Sequence, residues 1–329
     1  MLFKIKINNQ NQRNRNFHLC IYINLAPQTS SNFMSTKTIK PIDSNTILVP
    51  TDFTEVALMA LKHASQLGKI FNKHIILLHV LETGMLESSK SKEQKETEAS
   101  KKLQVLADEN KKESGIETSF VVKQGNIFDQ IGEQADELNT ALVVMGTHGV
   151  KGMQHVVGSK ALRVITNSNR PFVVVQKKQM KEHGFKNIVL PIDFSKESKQ
   201  KLVWAVELSK VFNSTFHILA EFENDEYTSR AVNNNIAYAK NYLSERNCNY
   251  VVHHAEKGEF SKETIQYASS VDADLILIMT NQSKDLTEYI IGPYEQNVIA
   301  NDAQIPVMTL NPVDTMTAKN GHLFNFSNY

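Results

Sequence analysis

The chain is poor in the residues that would tie it to an exterior or to a membrane. It carries two cysteines in 329 residues, Cys20 and Cys248, too few for a disulfide framework. That scarcity fits a reducing compartment, and a cytoplasmic location is expected. No apolar run approaches the roughly 20 residues that span a bilayer, so no membrane partner is expected. Charge of one sign is missing as well, since 36 Lys and Arg stand against 35 Asp and Glu. A net charge of +1 gives no basic field to attract nucleic acid. Catalytic groupings are equally scarce. No Ser/His/Asp or Cys/His set emerges, and His148 and His155 have no Cys or carboxylate at ligand spacing. His253 and His254 fall in a strand pattern, where packing or exposure accounts for them. A catalytic nucleophile and a metal held by protein groups alone are therefore not expected.

What is present is a regular α/β pattern. Residues 1–43 are rich in Asn and Gln and are expected to be a disordered leader, or the product of a start assigned too early, with Met34 opening the folded chain. Thr46 to Pro50 then reads as a short strand, and Thr51-Asp52-Phe53-Thr54 as a turn and helix cap. Ala57, Leu61, Ala64, Leu67 and Phe71 recur at helical spacing. His74 to Val80 is a near-continuous apolar strand, as expected where both faces are covered. Residues Glu87 to Glu113 hold 14 charges in 27 positions and predict a long solvated helix. Strands over 117–123, 141–145 and 172–176 complete the alternation, with helices between them. This order predicts a parallel sheet with helices on both faces.

The pattern then repeats. Ile188 to Ser195 matches Ile47 to Thr54 at an offset of 141, and the register holds through Phe71-Asn72 and Phe212-Asn213. Gly125 matches Gly258 at an offset of 133, so the second copy is eight residues shorter around its second helix. Leu142 matches Leu275, Gly158 matches Gly292 and Pro171 matches Pro306. The domains expected are 44–177 and 187–312, with a polar linker at 178–186 and a loose tail at 313–329. Each is an α/β domain with a five-stranded parallel sheet.

In such sheets, ligands bind beyond the carboxyl ends of the strands, where strand order reverses. Three pieces of copy one converge there: Pro50-Thr51-Asp52, Gly125, and Met145-Gly146-Thr147 continuing to Gly149, with Gly158-Ser159-Lys160 opening the next helix. Glycines let backbone approach a phosphate. Ser159 offers a hydroxyl at an anion-binding helix end. Asp52 can accept from a ribose hydroxyl, hold Mg²⁺, or simply cap a helix. The P-loop and G-x-G-x-x-G patterns do not fit.

These residues resemble the universal stress protein family: LVPTDFTEVA at Leu48, ILLHV at Ile76, Gly125, and VVMGTHGVKGMQHVVGSKA leading into RPFVVV. The resemblance spans Asn45 to about Pro312 as two tandem domains. It implies two Rossmann-like domains of the adenine nucleotide alpha hydrolase-like kind, a stress-response role, ATP binding in some members, and dimer-like pairing of domains. By resemblance, Thr51 and Asp52 would meet the ribose and phosphates, and the Val80 backbone the adenine. Gly146, Gly149, Gly158, Ser159 and Lys160 would wrap the phosphates. Eight residues separate Gly149 from Gly158, one fewer than in the family's ATP-binding pattern. Copy two departs further, with Thr280-Asn281-Gln282-Ser283 lacking both glycines, Pro293 after Gly292, and Glu221 in the place of Val80. Copy two is expected to pair with copy one rather than bind nucleotide. The function expected is a stress regulator binding ATP, with Mg²⁺, in copy one, and hydrolysing it slowly at most. The alternative is a stress-linked interaction module that binds no nucleotide. A homodimer of the whole chain is also compatible with the resemblance.

Overall fold

The computed structural model describes residues 44–82, 89–147, 157–280 and 292–312, with 157–160 as backbone only. The leader, the tail, Gly149, His148, His155 and 281–283 lie outside the described residues. Copy one runs β1 (Thr46–Pro50), α1 (Glu55–Phe71), β2 (His74–Leu81), α2 (Ser89–Ser114), β3 (Thr118–Gln124), α3 (Ile127–Glu137), β4 (Leu142–Gly146), α4 (Val157–Thr166) and β5 (Phe172–Val175). Copy two runs β6 (Asn187–Ile192), α5 (Leu202–Phe212), β7 (Thr215–Ala220), α6 (Glu226–Ser244), β8 (Asn249–His254), α7 (Phe260–Ser270), β9 (Leu275–Met279), α8 (Pro293–Ile299) and β10 (Val307–Leu310). The length difference sits where the repeat places it, in the 26 residues of α2 against the 19 of α6.

Within each copy every strand pairing is parallel. The two sheets are joined, however. The strands form one ten-stranded sheet in the order β3-β2-β1-β4-β5-β10-β9-β6-β7-β8. The seam is the antiparallel pair β5–β10, with Val174 opposite Val307 and Met308 opposite Val173. Both strands are buried along their whole length, so neither could stand as a free edge. The polar contacts across the seam are reciprocal. Gln176 Nε2 donates to the Asn301 carbonyl at 2.6 Å, and Asn311 Nδ2 donates to the Ile165 carbonyl at 2.7 Å.

Alternation along the strands divides the core in two. Ile47, Val49, Leu77, Val144 and Val173 face α1, α2, α5 and α6, whereas Leu48, Leu78, Val143, Met145 and Val174 face α3, α4, α7 and α8. Each layer crosses the seam without a break. Leu67, Leu77, Leu103 and Leu208 are among its buried members, each stabilising by about 1.5–3 kcal/mol relative to exposure.

The repeat is kept in fine detail at the first helix's end, where Asn72 and Asn213 both close the helix with φ near +50° (52° and 51°). At its start the copies differ. In copy one α1 is continuous from Glu55. In copy two a 3₁₀ turn, Lys196–Lys199, precedes α5. Ser198 and Lys201 stand where Ala57 and Ala60 do. Ser198 Oγ accepts from the Asp193 N–H at 3.4 Å, and Lys201 Nζ donates to the Pro191 carbonyl. Side chains that bond back to the strand exit compete with the helix ladder, which the alanines cannot do.

Candidate functional site

The carboxyl ends of β1 to β4 share one edge of the sheet, and strand order reverses between β1 and β4. Pro50 ends β1, and Thr51, buried, continues the ladder by donating its N–H to the Leu78 carbonyl at 2.8 Å. Asp52 is exposed. Its Oδ1 accepts from the Thr54 N–H at 3.0 Å and from the Thr54 hydroxyl at 2.6 Å. Thr54, not Asp52, is the residue that caps α1, its Oγ1 accepting from the Ala57 N–H at 3.4 Å. Asp52 therefore braces the cap, and among the described residues its Oδ2 accepts no hydrogen bond.

Val80 lies one residue before the end of β2, half-buried against the α3/α4 layer. Gly125 follows β3 with φ +141° and donates its N–H to the Leu81 carbonyl at 3.0 Å. Met145 is buried beneath the β4 exit, and buried Thr147 donates to the Val175 carbonyl at 2.9 Å. Pro50, Thr51, Asp52, Val80, Gly125, Met145, Gly146 and Thr147 thus share the edge. Gly158, Ser159 and Lys160 fall in the first turn of α4, where backbone amides have no partner within the helix. Gly149 cannot be placed, being outside the described residues.

Besides the close approach of backbone to a phosphate expected from the sequence, Gly146 has a packing reason for being glycine. A Cβ there would lie 2.3 Å from the Val56 carbonyl oxygen and 2.9 Å from the Ala57 nitrogen. The first turn of α1 passes directly over the β4 exit, and only a residue without a side chain lets it do so. That turn is capped by Thr54, which Asp52 braces. The glycine and the cap are parts of one packing arrangement.

Two participants were hidden in the sequence. His79 reads as filler in an apolar strand, yet its Nδ1–H donates to the Thr51 carbonyl at 2.7 Å. Lys201 reads as one of many surface lysines. Its place in the repeat, opposite Ala60 on the inner side of the helix, was the available signal.

The same edge of copy two is furnished differently. Asp193 repeats Asp52, its Oδ1 accepting from the Ser195 N–H at 2.9 Å and hydroxyl at 2.6 Å. Beside it lies the Lys201 ammonium, whose burial pushes its pKa down to about 8, partly offset by Asp193. Glu221, at the position of Val80, is pushed up to about 7 by burial and then by the Asp193 and Glu223 carboxylates. Tyr294 stacks on Phe260 with centroids 5.3 Å apart and its hydroxyl 3.4 Å from Thr264 Oγ1. Pro293 opens α8 at a position where no N–H is needed by the helix. Copy two puts charged side chains at the positions that Val80 and Ala60 hold in copy one.

Among the described residues no cluster of His, Cys, Asp and Glu could hold a metal ion, and no helix is long and apolar enough to cross a membrane.

Comparison with known proteins places this architecture. The model of the universal stress protein family matches residues 44–176 and again 184–311. A universal stress protein of Methanocaldococcus jannaschii is 32% identical over 154 residues, covering 40% of this chain and 94% of that protein. Universal stress protein G of Escherichia coli O157:H7 is 31% identical over 144 residues, covering 40% of this chain and 98% of its own length. Among solved structures, a universal stress protein from Archaeoglobus fulgidus DSM 4304 superposes with a TM-score of 0.69 at 19% identity, covering 82% of this chain and 99% of that one. A functionally unknown protein from Pseudomonas aeruginosa PAO1 does so with a TM-score of 0.56 at 15% identity, covering 84% and 95%. Those two likenesses speak to fold alone. Matched by the family model over both of its copies, the chain belongs to the universal stress protein family.

Proposed function

We propose that copy one binds an adenine nucleotide, ATP with Mg²⁺, and that the protein is a non-catalytic stress-response regulator in which copy two serves as the pairing domain. The observation that carries this reading is the contrast between the copies. Where copy one offers half-buried Val80 and an exposed Asp52 whose Oδ2, among the described residues, accepts no hydrogen bond, copy two brings in Glu221 and buried Lys201. The Glu221 carboxylate would repel a polyphosphate, and the Lys201 ammonium is already engaged with the Pro191 carbonyl. In copy one, Thr51 and Asp52 would meet the ribose and phosphates, and the Val80 backbone the adenine. Gly146, Gly149, Gly158, Ser159 and Lys160 would surround the phosphates, aided by the N-terminal amides of α4. Bound ATP would contribute charge and an adenine face, and turnover is expected to be slow at most. Asp52, exposed and engaged in the Thr54 cap, is not placed as a buried general base.

A second reading is an interaction module that binds no nucleotide. Gly146 favours it, because the Val56 carbonyl already explains that glycine. Mass spectrometry of small molecules released from the purified protein separates the two, followed by Gly158→Val and Gly292→Val. The first reading expects an adenine nucleotide in the released fraction, lost on Gly158→Val and retained on Gly292→Val. Equal effects of the two substitutions, or none, would exclude copy one as the site.

A further inference from the structure

The turn after β1 and the turn after β6 have closely similar sequences, Asp52-Phe53-Thr54 and Asp193-Phe194-Ser195, and the same aspartate bonds. Yet their phenylalanines do opposite things. Phe53 has φ +65°, the one aromatic among the described residues with a left-handed backbone, and its ring lies 4.9 Å from the His79 ring at 43°. Lys102 of α2 places its ammonium 5.7 Å from the Phe53 ring centroid. Phe194 has no positive φ and is 51% exposed.

Two residues differ between the turns: Thr51, whose Oγ1 accepts from the Phe53 N–H at 3.1 Å, is Ile192 in copy two, and the other lies on the neighbouring strand. His79 stands in β2 beside the β1 exit, and the repeat puts Ala220 at the same position in β7. His79 Nδ1–H donates to the Thr51 carbonyl at 2.7 Å while Thr51 itself donates to Leu78 at 2.8 Å. Both polar groups of the Thr51 backbone are thereby fixed to β2. The His79 ring holds Phe53 in a conformation that a bulky residue adopts only when its surroundings over-determine it. Ala220 can do neither. Copy two instead braces its turn from α6, with Asn235 Nδ2 donating to the Asp193 and Ser195 carbonyls, both at 2.9 Å.

We propose that His79 is the positioning residue of the copy-one site: it fixes the Thr51 carbonyl and the left-handed Phe53 so that Asp52 presents its carboxylate beyond the sheet edge in a preset direction. This rests on the nucleotide reading of copy one for its ligand, and on the structure alone for its geometry. Preset groups bind more tightly because less freedom is lost on binding.

The test uses the full chain and three substitutions. His79→Ala removes both contacts, His79→Phe keeps a ring without the donor, and His79→Asn keeps an N–H close to the place of Nδ1 without the ring. Amide hydrogen exchange by NMR reads the turn with no ligand. His79→Ala is expected to speed exchange at Phe53 and Thr54 at least tenfold, whose N–H groups donate to Thr51 Oγ1 and Asp52 Oδ1, and to leave Ser195 unchanged. Calorimetry with ATP·Mg²⁺ is expected to show a loss of tenfold or more for Ala and smaller losses for Phe and Asn, each of which keeps one of the two contacts, with Tm within a few degrees of the parent. Unchanged exchange and unchanged affinity in His79→Ala would overturn the proposal. So would an Asn variant as weak as the Ala variant with a matching fall in Tm, the mark of lost packing alone. Faster exchange in His79→Ala together with no ATP binding by the parent chain would uphold the positioning role and overturn the nucleotide reading.

Discussion

At the scale of single residues, the site is a set of contacts that leave little tolerance. Gly146 shows it most sharply. Its hydrogen occupies the only space available beneath the Val56 carbonyl, so a methyl group would have to displace α1 or the end of β4. Gly146→Ala is therefore expected to destabilise the protein by about 1–3 kcal/mol in urea unfolding, the usual range of overpacking. A change below 0.5 kcal/mol would mean that the helix yields freely. Glu221 gives the opposite kind of residue effect, one that depends on pH. Its carboxyl is raised from 4.5 to about 7. Between those values the folded chain holds the proton that the unfolded chain has released, so stability falls as pH rises through the window. Glu221→Gln removes that loss. It is expected to be near neutral at pH 4 and stabilising by about 1–2 kcal/mol at pH 8, after allowance for partial solvent exposure. An equal effect at both pH values would contradict the environment described.

At the scale of elements, most of the chain was legible. The apolar stripe of α1, the continuous apolar character of β2 and the charge-rich α2 are each a direct print of burial on sequence. Gly146's packing role was not legible, because it depends on where the first turn of α1 lies rather than on any local pattern. His79 was masked for a related reason: a histidine within an apolar strand looks the same whether its ring meets core or a neighbouring turn. The break before α5 left one faint mark, Lys201 in the place of inward-facing Ala60, while Ser198 is an unremarkable helix residue until its side chain is seen bonding to Asp193. The caps differ in a way that can be measured. Thr54 accepts from a helix amide, whereas Ser195 makes no such bond. Thr54→Ala is expected to cost about 1 kcal/mol or somewhat more, and Ser195→Ala a few tenths. Equal costs would show that the cap bond contributes nothing particular to α1.

At the scale of the whole molecule, the repeat in sequence becomes a near-symmetric pair in space, joined through β5 and β10. Pairing of the copies was expected from the family resemblance, but the antiparallel merger into a single sheet was not. A signal for it existed: two terminal strands, FVVV and VMTL, too apolar to be left as edges. The pair is symmetric in its frame and asymmetric at its two site edges, and this is the central claim. One edge keeps Val80 and Ala60 with His79 behind the turn, and the other holds Glu221 and Lys201 in their places. Calorimetric titration of ATP·Mg²⁺ into the intact chain tests it most directly. The account predicts one nucleotide bound per chain with Kd below millimolar. Two nucleotides per chain, or none below millimolar, would contradict it.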